Sequence, residues 1–403
     1  MGPESTQKTC FARLSFSILC QSESFLYSGV KKMTNSKWYE KLDKIHPYPA
    51  KFPITTAERF ILEYSDEFDT VLDPFVGSGT TVLASSSCNR YGVGLDINGI
   101  AIMISKFKLL QLTREDLIEL EKFIENIKND AHNENYGPLV EYNSINHWFC
   151  DEAIIGLSCI KNNIVSFFNN NERLLLFSRL TLSSIINTVS NQESDTRYAA
   201  VIKEGITVDY VIELYEKKLH VFSEILLNCK RNEEVLANSN VFLHNSKNCD
   251  EVIKKNSVDL IVTSPPYPNT YDYYLYHKHR MLWLDEDFQL ARDEEIGSRR
   301  EFSSLKHSQD NFDQDLFEIF SSCNIVLKNN AKIVIIIGDG KIQGEKYDSY
   351  EHTKKICEEI GWELLDYSYT NLDKTSKSFQ KSFRTLGKKE HIMIFEKVNG
   401  NEN

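Results

Sequence analysis

The sequence lacks the cysteine pairs that would indicate disulfides or a zinc site. Its nine cysteines are scattered, odd in number and never spaced as C-x-x-C. Neither a disulfide framework nor a thiolate metal site follows from such a pattern, which is typical of a reducing compartment. We therefore expect a cytoplasmic protein with free thiols.

Long hydrophobic runs are also missing. Every long apolar stretch is interrupted by charged or amide side chains, well before the roughly 18 to 20 residues that a membrane span needs. The apolar segment at residues 11–20 follows few basic residues and lacks a small-residue cleavage site, so we do not expect a secretory signal. We predict a soluble chain without a membrane partner, in which residues 1–33 are a disordered or non-native extension.

Basic side chains are in short supply. The chain has 46 Lys and Arg residues against 58 Asp and Glu residues, which gives a net charge of −12. Residues 113–240 alone contain 12 basic and 20 acidic residues, a net charge of −8. Because Lys and Arg supply most of the non-specific affinity for phosphates, binding to a nucleic acid would need a local basic surface.

The apolar segments that are present predict an α/β fold. A strand at 70–73 is followed by a glycine turn and a helix at 80–87, and a second strand lies at 91–96. Strand, glycine turn and helix begin a nucleotide-binding type of unit. Further strands are predicted at 241–243, 258–262, 333–337, 363–367 and 391–395.

Between these two groups of strands, residues 113–240 show the apolar periodicity of helices. We predict a Rossmann-like, doubly wound α/β sheet formed by residues 34–112 and 241–399, with a mostly helical insertion at 113–240. The last two strands are expected to form an antiparallel edge pair. Within the insertion, the polar segment 190–198 is predicted to be an ordered loop.

The first strand-turn-helix unit carries a candidate cofactor site. Gly77 and Gly79 would free N–H groups at a helix N-terminus, and Asp96 ends the next strand, where an acid can bind ribose hydroxyls. A tight turn and a helix-capping acid are the alternative. Val82 replaces the third glycine of a dinucleotide fingerprint. A nucleoside cofactor without phosphates, such as S-adenosylmethionine, therefore fits better, with Asp73 near its charged tail.

A second candidate site follows the apolar strand at 258–262. In Ser264-Pro265-Pro266-Tyr267, the prolines fix two φ angles and remove two N–H donors. The carbonyls of Ser264 and Pro265 can then face outward as acceptors beside the Tyr267 ring. This combination predicts a pocket for a planar amine, whereas a plain Pro-Pro-Tyr turn is the alternative.

Three motifs together resemble the amino-group-methylating DNA methyltransferases, which act on the exocyclic amine of cytosine or adenine. They are HPYPAKFP at 46–53, DPFVGSGTT at 73–81 and TSPPY at 263–267. The resemblance implies the SAM-dependent methyltransferase fold, S-adenosyl-L-methionine as the cofactor and a catalytic pocket at Ser264, Pro265, Pro266 and Tyr267. It implies cofactor binding by His46, Tyr48, Lys51, Asp73, Phe75, Gly77, Ser78, Gly79, Thr80, Asp96 and Ile97.

The resemblance further implies methylation of a flipped base in duplex DNA within a restriction–modification system. Ser264 resembles the cytosine-N4 members, whereas adenine-N6 members more often have Asp or Asn there, so we favour cytosine N4 over adenine N6. Methylation at cytosine carbon 5 is disfavoured, because it needs a thiolate nucleophile and the chain has no Pro-Cys pair. Methylation of RNA or of a protein amide, and a non-catalytic binding module, remain alternatives.

The expected partners are double-stranded DNA and a cognate restriction endonuclease, and no metal is needed for transfer from a sulfonium. The candidate DNA-binding residues are Arg197, Tyr271, Tyr273, Lys278, Arg280, Arg299, Arg300, Lys377, Lys381 and Arg384. For the segment 269–280, a helix that packs its tyrosines on the sheet is equally compatible with the sequence. Whether the acidic insertion reads the DNA sequence stays open.

Overall fold

The computed structural model of the protein describes residues 36–195, 197–372 and 388–398. The predicted extension at 1–33 and the basic residues Lys377, Lys381 and Arg384 lie outside the described residues. The first ten helices are α1 Ser36–Asp43, α2 Ile54–Tyr64, α3 Thr80–Ser87, α4 Gly99–Lys108, α5 Arg114–His132, α6 Ile145–Trp148, α7 Asp151–Phe167, α8 Glu172–Val189, α9 Val208–Asn228 and α10 Glu233–Asn238. They are followed by α11 Tyr273–Tyr276, α12 Lys278–Trp283, α13 Phe288–Glu294, α14 Arg299–Ser303, α15 Gln309–Val326 and α16 Ser349–Ile360.

The strands are β1 Thr70–Asp73, β2 Tyr91–Asp96, β3 Gln192–Ser194, β4 Arg197–Ala200, β5 Asn240–Leu243, β6 Val258–Thr263, β7 Leu327–Gly338, β8 Gly340–Ile342, β9 Glu345–Tyr347, β10 Trp362–Asn371 and β11 Lys389–Lys397. In the described part of the chain, none of the helices is both long and apolar enough to cross a membrane. The seven cysteines found there are all free thiols.

Seven strands form the central sheet in the order β10-β11-β7-β6-β1-β2-β5. The five strands from β7 to β5 are parallel, and β11 is antiparallel to both β7 and β10. The predicted doubly wound sheet with an antiparallel pair at one edge is therefore confirmed. From β1 the chain moves outward through β2 and β5 on one side and through β6 and β7 on the other. Sheets of this kind bind ligands where the order reverses, at the carboxyl ends of β1 and β6.

The central strands are apolar on both faces, because helices cover both sides of the sheet. Residues 333–337 of β7 are at most 2% exposed, as are residues 260–262 of β6. Such continuous apolar runs are typical of buried parallel strands. This is why these strands could be located in the sequence.

The insertion contains α5 to α10, and it shares one core with the helices on the sheet. Helix α5 begins at a capping box formed by Thr113 and Asp116. The ring centroids of Phe107 in α4 and Phe177 in α8 lie 5.3 Å apart, and both rings belong to one buried apolar cluster. The insertion is therefore packed continuously against the sheet layers.

Two hairpins were not expected from the sequence. The segment 190–198, predicted as a loop, contains β3 and the beginning of β4, which pair antiparallel. Strands β8 and β9 form a second hairpin at the carboxyl end of β7. Its turn residues Gln343 and Gly344 both have positive φ, 50° and 93°, as a type I′ turn requires.

Candidate active site

A cavity lies at the carboxyl ends of β1, β2 and β6, where the strand order reverses. It encloses about 910 Å³ of space, part of which is open solvent. Twelve residues predicted from the sequence line it: Tyr48, Lys51, Asp73, Phe75, Gly77, Ser78, Thr80, Asp96, Ile97, Ser264, Pro266 and Tyr273. The structure thus brings the glycine turn, the β2 acid and the Ser-Pro-Pro segment to one cavity.

The two glycines of the turn are required for different reasons. Gly77 has φ +47°, and a Cβ there would lie 3.1 Å from the Tyr48 ring on the cavity wall. Gly79 precedes α3 with φ +76°, and a Cβ there would lie 2.7 Å from the Ser105 hydroxyl of α4. Gly77 keeps the cavity open, whereas Gly79, which does not line it, lets two helices approach.

Asp96 is fixed at the end of β2 by backbone donors. Its two carboxylate oxygens accept hydrogen bonds from the N–H groups of Gly77 and Asn98, each at 2.9 Å. Burial nevertheless raises the pKa of Asp96 to about 6. Each oxygen keeps a further lone pair, so the side chain can accept hydrogen bonds from a ligand.

Asp73 joins the ends of β1 and β6. Its carboxylate accepts hydrogen bonds from the Thr263 hydroxyl at 2.6 Å and from the Phe75 N–H at 3.0 Å. Asp73 is only 2% exposed, and burial raises its pKa to about 6. The residue therefore fixes the two strands together while it presents an acid to the cavity.

The segment after β6 is only partly on the cavity wall. Ser264 and Pro266 line the cavity, whereas Pro265 and Tyr267 do not. The Tyr267 hydroxyl donates a hydrogen bond to Glu390 at 2.8 Å, and burial raises the pKa of the phenol. A Cβ on Gly338 would lie 2.6 Å from the Tyr267 ring, so this glycine lets the ring lie against β7.

His46 is predicted to bind the cofactor, but it lies outside the cavity. Its Nδ1 is 2.9 Å from the Pro47 carbonyl and its Nε2 is 3.0 Å from the Ser183 hydroxyl of α8. Burial lowers the pKa of His46 to about 3, so the ring is neutral. Only Nε2 reaches the insertion, but both ring nitrogens are occupied within the chain. Cofactor binding by His46 stays a prediction.

Arg280 is likewise not on a surface that DNA could reach. It is 1% exposed, and its guanidinium forms an ion pair with Asp195 and donates to the Ser183 carbonyl at 3.1 Å. Tyr271, also predicted to contact DNA, is 3% exposed. The segment packs its tyrosines inward, which was the alternative interpretation of its sequence.

The remaining candidates for DNA contact are more accessible. The Arg197 side chain is 69% exposed and pairs with Glu193 at 2.8 Å. The Lys278 ammonium lies 5.6 Å from the centroid of the Tyr198 ring. Arg299 donates to the Thr270 carbonyl at 2.8 Å, and Arg300 pairs with Asp293 at 3.3 Å. Their role in DNA binding stays a prediction.

Several residues of the cavity wall were not predicted from the sequence. The most notable is Glu295, and the other polar side chains among them are Asn98, Asn245, Ser246 and Glu294. The Glu295 oxygens accept hydrogen bonds from the N–H groups of Tyr273 at 2.9 Å and Tyr274 at 2.7 Å. No motif marks this residue, because it reaches the cavity through the fold of the segment after Tyr267.

One group outside the cavity has side chains that could bind a metal, namely Asp339, Asp348 and His391. The Lys346 ammonium lies 3.4 Å from Asp339 and 2.7 Å from Asp348. Asp339 also lies 3.0 Å from His391 Nε2. Because the lysine already neutralises the two acids, the group is explained as a fixation of the β8–β9 hairpin.

The charge of the cavity wall limits which cofactor it can hold. Four acids line it: the buried Asp73 and Glu295, the half-buried Asp96 and the exposed Glu294. Lys51 is the only Lys or Arg on the wall in the described part of the chain, and its ammonium is paired with Asp43 at 2.8 Å. Such a wall repels phosphates and suits a nucleoside that carries positive charge. The residues therefore fit S-adenosylmethionine, and sheet and site together define a Rossmann-like, SAM-dependent methyltransferase.

Comparison with known proteins narrows this class. The chain belongs to the DNA methylase family of N6 and N4 methyltransferases, whose model matches residues 22–107 and 258–401. The match omits residues 108–257, which contain most of the helical insertion. The family agrees with the resemblance carried by the three motifs.

Individual relatives that match most of the chain share low sequence identity with it. The type II methyltransferase M.MvaI of Kocuria varians is 27% identical over 284 residues, which are 65% of this chain and only 60% of that protein. M.MjaII of Methanocaldococcus jannaschii is 21% identical over 74% of this chain and 72% of its own length. Among solved structures, a SAM-dependent methyltransferase from Methanosarcina mazei gives a TM-score of 0.34 at 10% identity, over 85% of this chain and 98% of that one.

Proposed function

We propose that the protein methylates the exocyclic amine of a base in double-stranded DNA, with cytosine N4 as the preferred target. The observation that carries this proposal is that Ser264 and Pro266 line the same cavity as Asp73 and Asp96. An amine bound by the first pair would lie beside a cofactor bound by the second. Membership of the DNA methylase family supports DNA as the substrate.

The reaction requires the amine lone pair to be freed from the ring of the base. The Ser264 hydroxyl and the Pro265 carbonyl are proposed to accept the two amine hydrogens, which favours a tetrahedral nitrogen. When bound, S-adenosylmethionine supplies an activated methyl group on a sulfonium. The freed lone pair would accept this methyl group, the cofactor would leave as the neutral thioether, and one amine proton would pass to solvent.

The target base must leave the duplex, because the amine cannot be reached inside the base stack. Tyr267 is proposed to stack on the flipped base, with its ring fixed by the hydrogen bond to Glu390 and by the contact with Gly338. The cost of flipping is a few kcal/mol. Stacking and the hydrogen bonds of the pocket would offset it.

Cytosine is preferred over adenine because of Ser264, as the resemblance to cytosine-N4 enzymes implies. The relatives named as type II methyltransferases support a restriction–modification role in the cytoplasm, with a cognate endonuclease as partner. Both statements rest on similarity to other proteins. The chemistry at Ser264 and Pro265 would serve either base.

The test is to incubate the protein with labelled S-adenosylmethionine and mixed-sequence duplex DNA, then to identify methylated nucleosides by mass spectrometry. We expect N4-methylcytosine. N6-methyladenine in its place would contradict the assignment of the base, and no methylated nucleoside despite confirmed cofactor binding would contradict DNA methylation.

The role of Tyr267 is tested with two variants. Tyr267→Ala removes the ring and should lower the rate of methylation about 10- to 100-fold, since stacking on a base contributes roughly 1–3 kcal/mol. Tyr267→Phe keeps the ring and loses the hydroxyl with its bond to Glu390, so its rate of methylation should fall much less. Cofactor affinity, measured by calorimetry, should be nearly unchanged in both. An equal loss of rate and cofactor affinity would show that Tyr267 acts only through the fold.

A further inference from the structure

Glu295 belongs to no motif, yet its position on the cavity wall is closely defined. It is 8% exposed and lines the cavity together with Ser264, Pro266 and Asp96. Each of its carboxylate oxygens accepts one backbone N–H, at 2.9 and 2.7 Å. Two fixed hydrogen bonds orient a carboxylate without neutralising it.

The charge of Glu295 is not balanced by a cation. Among the described residues, no Lys, Arg or His lies within ion-pair distance of it, unlike the buried Asp43 and Asp116 and the half-buried Asp195. Its nearby charges include the acids Asp272 and Asp96, which raise the pKa of Glu295 in addition to burial. A buried acid beside other acids is costly unless a ligand supplies positive charge.

A purely structural role for Glu295 must be weighed against this. Its two hydrogen bonds cap the first turn of α11, and they thereby hold Tyr273 against Tyr48, with ring centroids 5.7 Å apart. A neutral Gln or Asn offers only one acceptor oxygen, so the two bonds account for a carboxylate at this position, but the cap alone does not need the cavity. The exposure of an unbalanced acid to the cavity is what the structural role leaves unexplained.

We propose that Glu295 is a cofactor-positioning residue that lets the cavity distinguish the positively charged methyl donor from its neutral product. This inference rests on the proposed function. S-adenosylmethionine has a net charge of +1, and S-adenosylhomocysteine has none once the methyl group is lost from sulfur. A positive sulfonium in the cavity favours the ionised form of Glu295. The resulting negative charge attracts the first ligand more than the second, so methyl transfer itself weakens binding of the product.

The test measures affinities for S-adenosylmethionine and S-adenosylhomocysteine by calorimetry, in the wild-type chain and in Glu295→Gln. Wild-type protein should bind the charged donor more tightly, and Glu295→Gln should reduce the ratio of the two affinities at least about tenfold, the effect of one unit charge roughly 12 Å away at an effective dielectric constant near 20. Glu295→Asp keeps the charge and should keep most of the ratio.

Glu301→Gln is the matched control. Glu301 is also a buried acid, 9% exposed, that caps a helix by accepting from the Ser298 N–H at 3.1 Å, but it does not line the cavity. Its replacement should leave the ratio unchanged. If Glu295→Gln weakens both ligands equally, as loss of the α11 cap would do, the inference is overturned. If the wild-type chain binds neither ligand, the proposed function fails first.

Discussion

The acids around the glycine turn differ in their ion-pair partners. Asp43, at the end of α1, is bound by the ammonium groups of Lys108 and Lys51, each at 2.8 Å, and by the Thr80 hydroxyl at 3.0 Å. Burial alone would raise the pKa of Asp43, but the two lysines lower it to about 2. In the described part of the chain, Asp73 and Asp96 have hydrogen-bond donors but no cation within ion-pair distance, and burial raises the pKa of each to about 6.

The comparison separates an acid that supports the fold from acids kept for a ligand. The charge of Asp43 is balanced by lysines of the same chain, so its removal should destabilise the folded state. Asp73 and Asp96 face a cavity with charge that the fold does not compensate. Strongly raised pKa values at a cavity are typical of functional sites, and the cost in stability is balanced only when a ligand binds.

The largest effect is expected when the ion pair between Asp43 and Lys108 is removed. Asp43→Ala would leave Lys108, which is fully buried, without its counter-ion, and removal of one partner from a buried pair costs about 3–5 kcal/mol. We expect the free energy of unfolding in chemical denaturation to fall by that amount. Lys51→Met, in which the lost ammonium is 23% exposed, should cost less. A loss below about 1 kcal/mol for Asp43→Ala would contradict a structural role.

The second largest effect is expected at Asp96, on the binding of the cofactor. Asp96→Asn removes the charge at the end of β2 and should weaken binding of S-adenosylmethionine about 10- to 100-fold, the loss of one or two hydrogen bonds to a charged acceptor. Without cofactor, the free energy of unfolding should change by less than about 1 kcal/mol, because relief of the buried charge offsets a lost hydrogen bond. Calorimetry and chemical denaturation check the two halves. A large loss of stability would remove the contrast with Asp43.

The smallest effect is on pH dependence. Because Asp73 and Asp96 titrate at about 6 in the folded chain, affinity for the cationic cofactor should fall several-fold as the pH drops from 7.5 to 5.5, roughly in proportion to the ionised fraction. Without cofactor, the free energy of unfolding should change with pH in the opposite direction. The folded state binds more protons than the unfolded state in this range, so the free energy of unfolding should rise as pH falls through 6.

Asp43 is the control for the predicted pH dependence. Asp43 has a lowered pKa, so the stability it contributes is present above pH 4 and is lost only as pH falls toward 2. Asp73→Asn should flatten the dependence of cofactor affinity between pH 5.5 and 7.5. A dependence that is equally steep in this variant would assign the titration to other groups.

Much of the fold could be predicted because local sequence patterns indicate its strands and turns. The strands β1, β2 and β6 are short apolar runs followed by Gly or Pro, and the acids Asp73 and Asp96 end two of them. Those signals lie within a few residues of one another in the chain. The cavity wall formed by the glycine turn, Asp96 and Ser264 was therefore accessible from the sequence.

What the sequence did not indicate depends on contacts between distant segments. Arg280 and His46 have the chemistry of surface or ligand contacts, but both are bound to Ser183, which is 97 and 137 positions away. Glu295 reaches the cavity only because the segment after Tyr267 folds back over it. The β8–β9 hairpin did have a local signal, the Gln343-Gly344 pair between alternating residues, and closer attention to turn chemistry would have found it.

The ion pair between Arg280 and Asp195 has a consequence for protein engineering. Asp195 belongs to the insertion, whereas Arg280 lies on the segment that continues from the base pocket. A chimera that takes its insertion from a relative would bury an arginine without its acid unless both positions were transferred together. A folded chimera is therefore expected when residues 46, 183, 195 and 280 move as one set, and insoluble protein when the insertion moves alone.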